Sequence, residues 1–352
     1  VKEALVTEKS KLSLDVQRPL RLLKSCPAYV PTPLIEISPL EGVRVLIKDE
    51  TDRMGLKAFK GLGGVYAVVR FLLDAWLAET GNNVNPDKLF CPELREWCRK
   101  FTFVCATAGN HGLAVARGAQ IFNARCRVHV AATVPDIFKD RLREAGAEVI
   151  ISGKTYEQSM AAALSDNSDG KILVSDSSWS GYLELPRLIM EGYSVLAEEI
   201  LNVFRRTMNW PSHVFVQAGV GGLAAAVTSE IRKKWPHQPR IIIVEPESAC
   251  CLAESVMKNC LTQVDGVASV MGRLDCKEPS LLAFECLRKS ADDFVAVTDA
   301  EAHKAQEYLQ EEGISTTTSG AAGVAAIIQR ERLRLEIAEK SVCLAIVTEG
   351  AI

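Results

Sequence analysis

His213-Val-Phe-Val-Gln-Ala-Gly-Val-Gly-Gly-Leu-Ala-Ala-Ala-Val227 decides the architecture. A short β-branched and aromatic run ends in glycines at 219, 221 and 222, and a small-residue helix starts at once. That is a strand, a tight turn and a helix: one βα unit. The same alternation extends in both directions. Strand character falls at 43–47, 101–106, 127–131, 148–151, 172–175, 240–244, 294–297 and 342–347. Helical character falls at 61–78, 111–122, 136–145, 155–165 and 185–203. Short β-branched runs between amphipathic helices predict an α/β fold of parallel sheets covered on both faces.

The 352 residues exceed what one compact core usually organises, so two units or one large α/β unit are expected. No repeat or Gly/Ser linker marks a boundary, and the best loop candidates are 79–88 and 177–184. Apolar residues make up 48% and charged residues 24%, with a net charge of −3. Acidic and basic residues are interspersed, with no basic stripe of the kind that binds nucleic acid. The eleven cysteines have no C-x-x-C pair and no zinc-type spacing to the five histidines. Reduced thiols in a cytoplasmic protein are expected, with no metal site. The longest apolar stretch, 64–78, is interrupted by Arg70 and Asp74 and reads as a buried helix, so no membrane span is expected. The N-terminus shows no basic-then-apolar signal pattern.

Four segments carry chemistry. Gly219, Val220, Gly221, Gly222 and Leu223 open a helix, where backbone N–H groups and the helix dipole favour an anion. The same loop equally suits a ligand-free βα turn, and it departs from both the P-loop and the dinucleotide fingerprint. Thr107-Ala-Gly-Asn-His-Gly112 also joins a strand to a helix. Asn110 suits a polar contact to a ligand, His111 a base, and Thr107 or Asn110 an ordinary helix cap. Lys60 stands before Gly-Leu-Gly-Gly64 at a helix start, where a lysine can become an amine nucleophile. On composition Lys57 is its equal. Asp176 follows a strand, where α/β sheets place ligands, and could serve as acid, base or turn cap.

In this order, Ala-Phe-Lys60, Gly-Asn-His-Gly112, the 219–222 loop and Ser319-Gly-Ala-Ala-Gly323 resemble the fold-type II pyridoxal-phosphate enzymes, the tryptophan-synthase-β-like superfamily. Pro31-Thr-Pro-Leu34 fits the N-terminal part of that group. Lys48-Asp-Glu, Trp179-x-Gly-Tyr182, Val244-Glu-Pro246, Cys276-x-Glu-Pro279 and Thr348-Glu-Gly350 look most like the diaminopropionate ammonia-lyases. The resemblance implies a large cofactor domain (1–71 and 190–352), a small domain (72–189), pyridoxal 5'-phosphate in the cleft between them, and a homodimer. It matches Lys60 to the Schiff-base lysine, Asn110 to the ring-hydroxyl contact and residues 219–223 to the phosphate loop. It further matches Asp176 to a catalytic acid/base, Thr348 to the pyridine-nitrogen contact, and Thr107, Ala108 and His111 to the substrate side.

Three positions depart from the ammonia-lyase pattern. Ala108 replaces a proton-transferring aspartate, Lys57 an asparagine and Thr318 a glutamate. Cys251 and Cys276 stand where that family has a cysteine pair, and two thiols are expected here. The implied reaction is α,β-elimination on a small β-substituted amino acid such as 2,3-diaminopropionate. Its aminoacrylate product would hydrolyse to a 2-oxo acid and ammonia. Dehydration of serine, threonine or hydroxyaspartate, β-replacement, and non-catalytic binding of cofactor or amino acid stay open as alternatives.

Overall fold

The structure, a computed structural model, describes residues 12–85, 88–107, 109–166 and 170–351. The chain runs α1 (Gln17–Leu23), β1 (Leu34–Leu40), β2 (Val43–Asp49), α2 (Lys60–Thr80), α3 (Pro92–Cys98), β3 (Thr102–Ala106), α4 (Asn110–Ile121) and β4 (Arg125–Val130). It continues through α5 (Asp136–Glu144), β5 (Ala147–Ile151), α6 (Tyr156–Ser165), β6 (Lys171–Leu173), α7 (Glu184–Thr207), β7 (His213–Gln217) and α8 (Gly222–Lys234). The last part holds β8 (Arg240–Pro246), α9 (Cys251–Met257), α10 (Leu281–Ser290), β9 (Asp293–Val297), α11 (Asp299–Glu311), α12 (Thr318–Ile328) and β10 (Val342–Val347).

These strands form a six-stranded sheet, ordered β1-β2-β10-β7-β8-β9, and a four-stranded sheet, ordered β5-β4-β3-β6. Pairing is parallel throughout except at one edge, where β1 runs antiparallel to β2. The sheets are thus mostly parallel, as expected. Glu41 (φ 46) and Gly42 (φ 82) make a two-residue hairpin turn, and Pro39 sits at a register shift where an edge strand tolerates a missing donor.

The central strands of the large sheet are buried on both faces. Along β10, Leu344 and Ile346 pack into one core, while Cys343, Ala345 and Val347 pack into the other. The period-2 alternation of a strand puts each set on its own face. The expected division of the chain at 71/72 falls inside α2 and that at 189/190 inside α7, so these two helices carry the chain between the sheets. They cross at glycines. A Cβ on Gly63 would stand 2.7 Å from the Ile189 carbonyl oxygen, and one on Gly192 would stand 2.3 Å from that of Leu62. Helix α2 has the length and apolar content of a membrane span, yet residues 61–69 are all buried against protein, as in a core helix.

A buried ionic cluster ties β2 to α7 and to the segment before β1. Arg53 donates to Glu50 (2.7 Å to Oε2) and to Glu199 (2.9 Å to Oε1). Lys48 donates to Glu199 (2.6 Å), and Tyr29 and Thr32 complete the hydrogen bonding. Burial pulls the Lys48 ammonium below its ordinary value, against the raising effect of Glu199 and Glu50.

Candidate active site

In open α/β sheets, ligands collect at the carboxyl ends of strands where the strand order reverses. Each sheet has one such point. In the small sheet it lies between β3 and β6, since the chain builds β4 and β5 on one side of β3 and then returns to place β6 on the other. In the large sheet it lies between β7 and β10. The turns leaving these four strands line one cavity of about 250 Å³: Thr107–His111 after β3 (its residue 108 aside), Asp176 beyond β6, residues 218–223 after β7, and Thr348 and Glu349 after β10.

Lys60 enters this cavity because the chain before it is pinned. Phe59 N–H donates to the Thr348 carbonyl (3.1 Å) and Gly350 N–H to that of Lys57 (3.0 Å). The pairing of 57–59 with 348–350 sets the first residue of α2 against the end of β10. Lys57, with φ 60, is exposed and outside the cavity, so the structure separates the two lysines that composition could not.

The Lys60 ammonium donates to Asp176 Oδ2 at 2.6 Å, and the rings of Phe59 and Tyr193 lie 5.2 and 5.8 Å from Nζ. Burial lowers the Lys60 pKa, but Asp176 outweighs it and holds the amine above its ordinary range. Burial likewise raises the Asp176 carboxyl, but Lys60 and His111 outweigh it and hold the group below the usual carboxylate range. The pair is therefore ionised in the cofactor-free protein.

The glycine loop has the shape of a cradle. Helix α8 has no side-chain cap and no acidic residue in its first turn, and Gly221 has φ 94. A Cβ on Gly219 would lie 2.9 Å from Cys276 Sγ, and one on Gly221 would lie 2.9 Å from Ala283 Cβ. Cys251 and Cys276 flank the loop as free thiols. Burial pushes Cys276 up to about 12, so the neutral thiol is favoured there.

On the opposite wall, the Thr107 hydroxyl accepts the N–H groups of Gly109 (2.9 Å) and Gly112 (3.3 Å) and so caps the start of α4. Its hydroxyl is committed to the turn. Asn110 Nδ2 donates to Glu349 Oε2, leaving Asn110 Oδ1 buried without a partner among the described residues. His111 Nε2 donates to the Val174 carbonyl (2.8 Å), and burial keeps the ring below its ordinary pKa, so Nδ1 carries an unpaired acceptor. Gln217 Oε1 is similarly orphaned. Val347 packs into the core behind β10 and Thr348 lines the cavity. Val220, Gly222 and Leu223 also line the cavity, and Ala108 lies outside the described residues.

Sequence reasoning missed Gln217, Glu349, Arg273 and Tyr156, all cavity residues. Gln217 ends β7 and Glu349 follows β10, so strand-end position alone could have flagged both. Arg273 arrives from the irregular stretch between α9 and α10, and Tyr156 from the exposed first turn of α6, where no local pattern announces a ligand.

A glycine cradle at a helix N-terminus, a lysine at the mouth of the opposite helix and three orphaned polar atoms fit an aldehyde cofactor with an anionic tail and a polar ring. The chain belongs to the pyridoxal-phosphate dependent enzymes, whose family profile matches residues 26–349. It is 32% identical to diaminopropionate ammonia-lyase of Escherichia coli K12 over 343 residues, covering 92% of this chain and 85% of that one. The crystal structure of the Escherichia coli ammonia-lyase in complex with an aminoacrylate-PLP azomethine reaction intermediate superimposes with a TM-score of 0.84 and 30% identity, covering 99% of this chain and 91% of that one. L-threonine ammonia-lyase of Thermotoga maritima is 28% identical over 255 residues, covering 72% of this chain and 60% of that one.

Proposed function

We propose that this protein carries pyridoxal phosphate on Lys60 and catalyses α,β-elimination of small β-substituted amino acids, with 2,3-diaminopropionate the first candidate. The observation that carries the reading is the Lys60–Asp176 pair, 2.6 Å apart in a cavity whose far end is the glycine cradle. The N–H groups of residues 219–223 would hold the phosphate, the Asn110 amide the ring hydroxyl and the Thr348 hydroxyl the ring nitrogen. When bound, the cofactor supplies an electron sink that makes the substrate Cα–H acidic.

The remaining work falls to side chains. Lys60, released as a free amine by the incoming substrate, takes the Cα proton. Asp176, in hydrogen-bond contact with Lys60 Nζ, shares that proton and protonates the departing β-nitrogen. His111 lines the same space as a neutral ring, and the uncharged state suits a positioning contact. For 2,3-diaminopropionate the C–N bond at Cβ breaks, ammonia leaves, and water converts the released aminoacrylate to pyruvate and a second ammonia.

A second reading is dehydration of a β-hydroxy amino acid, favoured by the likeness to the threonine ammonia-lyase. The small-domain assignment of 72–189, a homodimeric state and a cytoplasmic location belong to the same proposal.

The test has two parts. Borohydride should fix the cofactor to the peptide containing Lys60, and Lys60→Ala should abolish that adduct. The wild-type protein should release pyruvate and two equivalents of ammonia from 2,3-diaminopropionate. Release from serine or threonine alone would move the assignment to the dehydratase reading. An adduct on another lysine would end it.

A further inference from the structure

Tyr193 stands in the cavity with a hydroxyl that the fold does not use. Its side chain is 1% exposed, it lines the cavity, and its phenol oxygen has no hydrogen-bond partner among the described residues. A buried hydroxyl left unpaired costs free energy, and phenylalanine would fill the same space without that cost. Packing of the ring alone therefore does not account for a tyrosine here.

The first turn of α2 sets this ring beside Lys60. Residues 60 and 63 lie on one face of the helix, a turn apart. Residue 63 is glycine, and the Tyr193 ring takes the space of the missing side chain. A Cβ on Gly63 would stand 2.3 Å from Tyr193 Cε1 and 2.8 Å from Cζ, the carbon that bears the hydroxyl. Phe59 packs on the same ring, with centres 4.8 Å apart. Lys60 Nζ lies 5.8 Å from the centre of the Tyr193 ring. Burial holds the phenol above its ordinary pKa, and the opposing pull of the Lys60 ammonium does not outweigh it, so the phenol stays neutral.

A base must point its lone pair at the proton it takes. A lysine ammonium has three N–H groups and the free amine two. Asp176 Oδ2 accepts one of them at 2.6 Å. One contact leaves the nitrogen free to rotate about the last side-chain bond, and a second acceptor fixes it. The phenol oxygen is an unused acceptor beside Nζ. Being uncharged, it orients the nitrogen without holding it as an ammonium, as a second carboxylate would.

We propose that Tyr193 is a positioning residue for Lys60: its phenol oxygen accepts a second N–H of Nζ while Asp176 accepts the first, so that the lone pair of the free amine faces the substrate Cα proton. The inference rests on the elimination reading above. In the step it serves, the Cα–H bond breaks, its electron pair stays with the substrate, and an N–H bond forms on Nζ. The phenol keeps its own proton throughout.

The test compares wild type with Tyr193→Phe, which removes one oxygen and keeps the ring against Phe59 and Gly63. On 2,3-diaminopropionate the holoenzyme variant should lose about 10- to 100-fold in kcat, the range for a hydrogen bond to a group that becomes charged, with KM little changed. Deuterium at Cα should then slow the variant by the full primary isotope effect. Pyridoxal phosphate uptake by the apoprotein at pH 7 should quicken by about 2- to 10-fold, since the ammonium loses an acceptor. Asp176, Cys276, His111 and Glu349, the other titratable groups that interact with Lys60, are the same in both proteins. The urea midpoint should match or exceed that of wild type. An unchanged kcat, a slower kcat with a suppressed isotope effect, or an unchanged uptake rate overturns the proposal. A lowered urea midpoint or loss of cofactor binding assigns the hydroxyl to the fold and overturns it as well. If the wild type does not eliminate ammonia from this substrate, the elimination reading fails, while the uptake rate still reports on the contact between Tyr193 and Lys60.

Discussion

Replacing Asp176 by Asn asks whether the lysine that meets the cofactor is held charged by its neighbour. Lys60 Nζ and Asp176 Oδ2 are 2.6 Å apart, with 21% and 17% of the two side chains exposed. At that separation two unit charges attract by about 6 kcal/mol at an effective dielectric near 20, and by about 2 kcal/mol in bulk water. Partial exposure puts the real value between these limits. Since about 1.4 kcal/mol is a factor of ten, even the lower limit gives roughly a tenfold larger fraction of neutral amine once the carboxylate is gone. Schiff-base formation needs the neutral amine. Apoprotein mixed with pyridoxal phosphate at pH 7 should therefore develop its absorption at least about ten times faster in Asp176→Asn than in wild type, and the rate should level off at lower pH. Asp176→Glu, which keeps the charge, should stay near wild type. Stability follows the same pair. Asp176, held below the ordinary carboxylate value, contributes above about pH 4, and that contribution fades as pH falls through its folded value. Lys60, held above the ordinary amine value, contributes fully below about pH 10, and that contribution fades as pH rises through its folded value. The apoprotein should thus be most strongly held between these limits, and Asp176→Asn should flatten both edges. Identical uptake rates and pH profiles in wild type and Asp176→Asn would refute the charge pairing.

Gly221→Ala forces a side chain into a φ of 94 and within 2.9 Å of Ala283 and Leu252. It should lower stability by about 1–3 kcal/mol in urea unfolding and weaken cofactor binding in spectral titration. Arg53→Met leaves Glu50 and Glu199 facing each other without their guanidinium in a site with 0% exposure at Arg53. A loss of about 3–5 kcal/mol is expected, read as a lower denaturation midpoint. Glu245 is fully buried, accepts the N–H groups of Leu252 and Ala253 at 2.8 Å, and is pushed by burial up to about 7. A carboxyl raised in the folded state destabilises it as pH climbs from the ordinary value to the folded one, here by about 3 kcal/mol between pH 4.5 and 7. Glu245→Gln should remove that slope from the pH dependence of unfolding.

The sheet strands were legible because their signal is local. Residues 213–217 and 343–347 are buried on both faces, and continuous apolar runs announce that state directly. Strand β1 was not read, because Glu36 and Pro39 break its pattern and its pairing depends on a hairpin turn at residues with positive φ. The cradle and Lys60 were legible as motifs; composition alone left Lys57 equal to Lys60, the family resemblance pointed to Lys60, and the pairing of 57–59 with 348–350, which joins residues nearly 300 positions apart, puts Lys60 and not Lys57 in the cavity. Arg273 carried no signal at all. Its place in the cavity is set by neighbours far apart in sequence, Phe138, Gly109 and Glu349.

The two reversal points have a consequence for control of the site. Each contributes one turn to the cavity, the 219–222 loop from the large sheet and the turn holding Thr107 and Gly109–His111 from the small one. Asp176, beside the second turn, is carried by the small sheet, while the segment that aims Lys60 is paired with the end of β10 in the large sheet. The 2.6 Å contact between them therefore spans the two sheets and is made or broken by their relative position. The two helices that carry the chain between the sheets, α2 and α7, cross at Gly63 and Gly192, where there is no room for a methyl group. Gly192→Ala should act at a distance: its Cβ would stand 2.3 Å from the Leu62 carbonyl oxygen, two residues from Lys60. Overpacking of this kind costs about 1–3 kcal/mol. If the crossing sets the register of the two sheets, the variant should also lengthen the Lys60–Asp176 contact and bring its cofactor uptake at pH 7 toward the faster rate of Asp176→Asn. A variant that loses stability but keeps the wild-type uptake profile would show that the crossing supports the fold without setting the site.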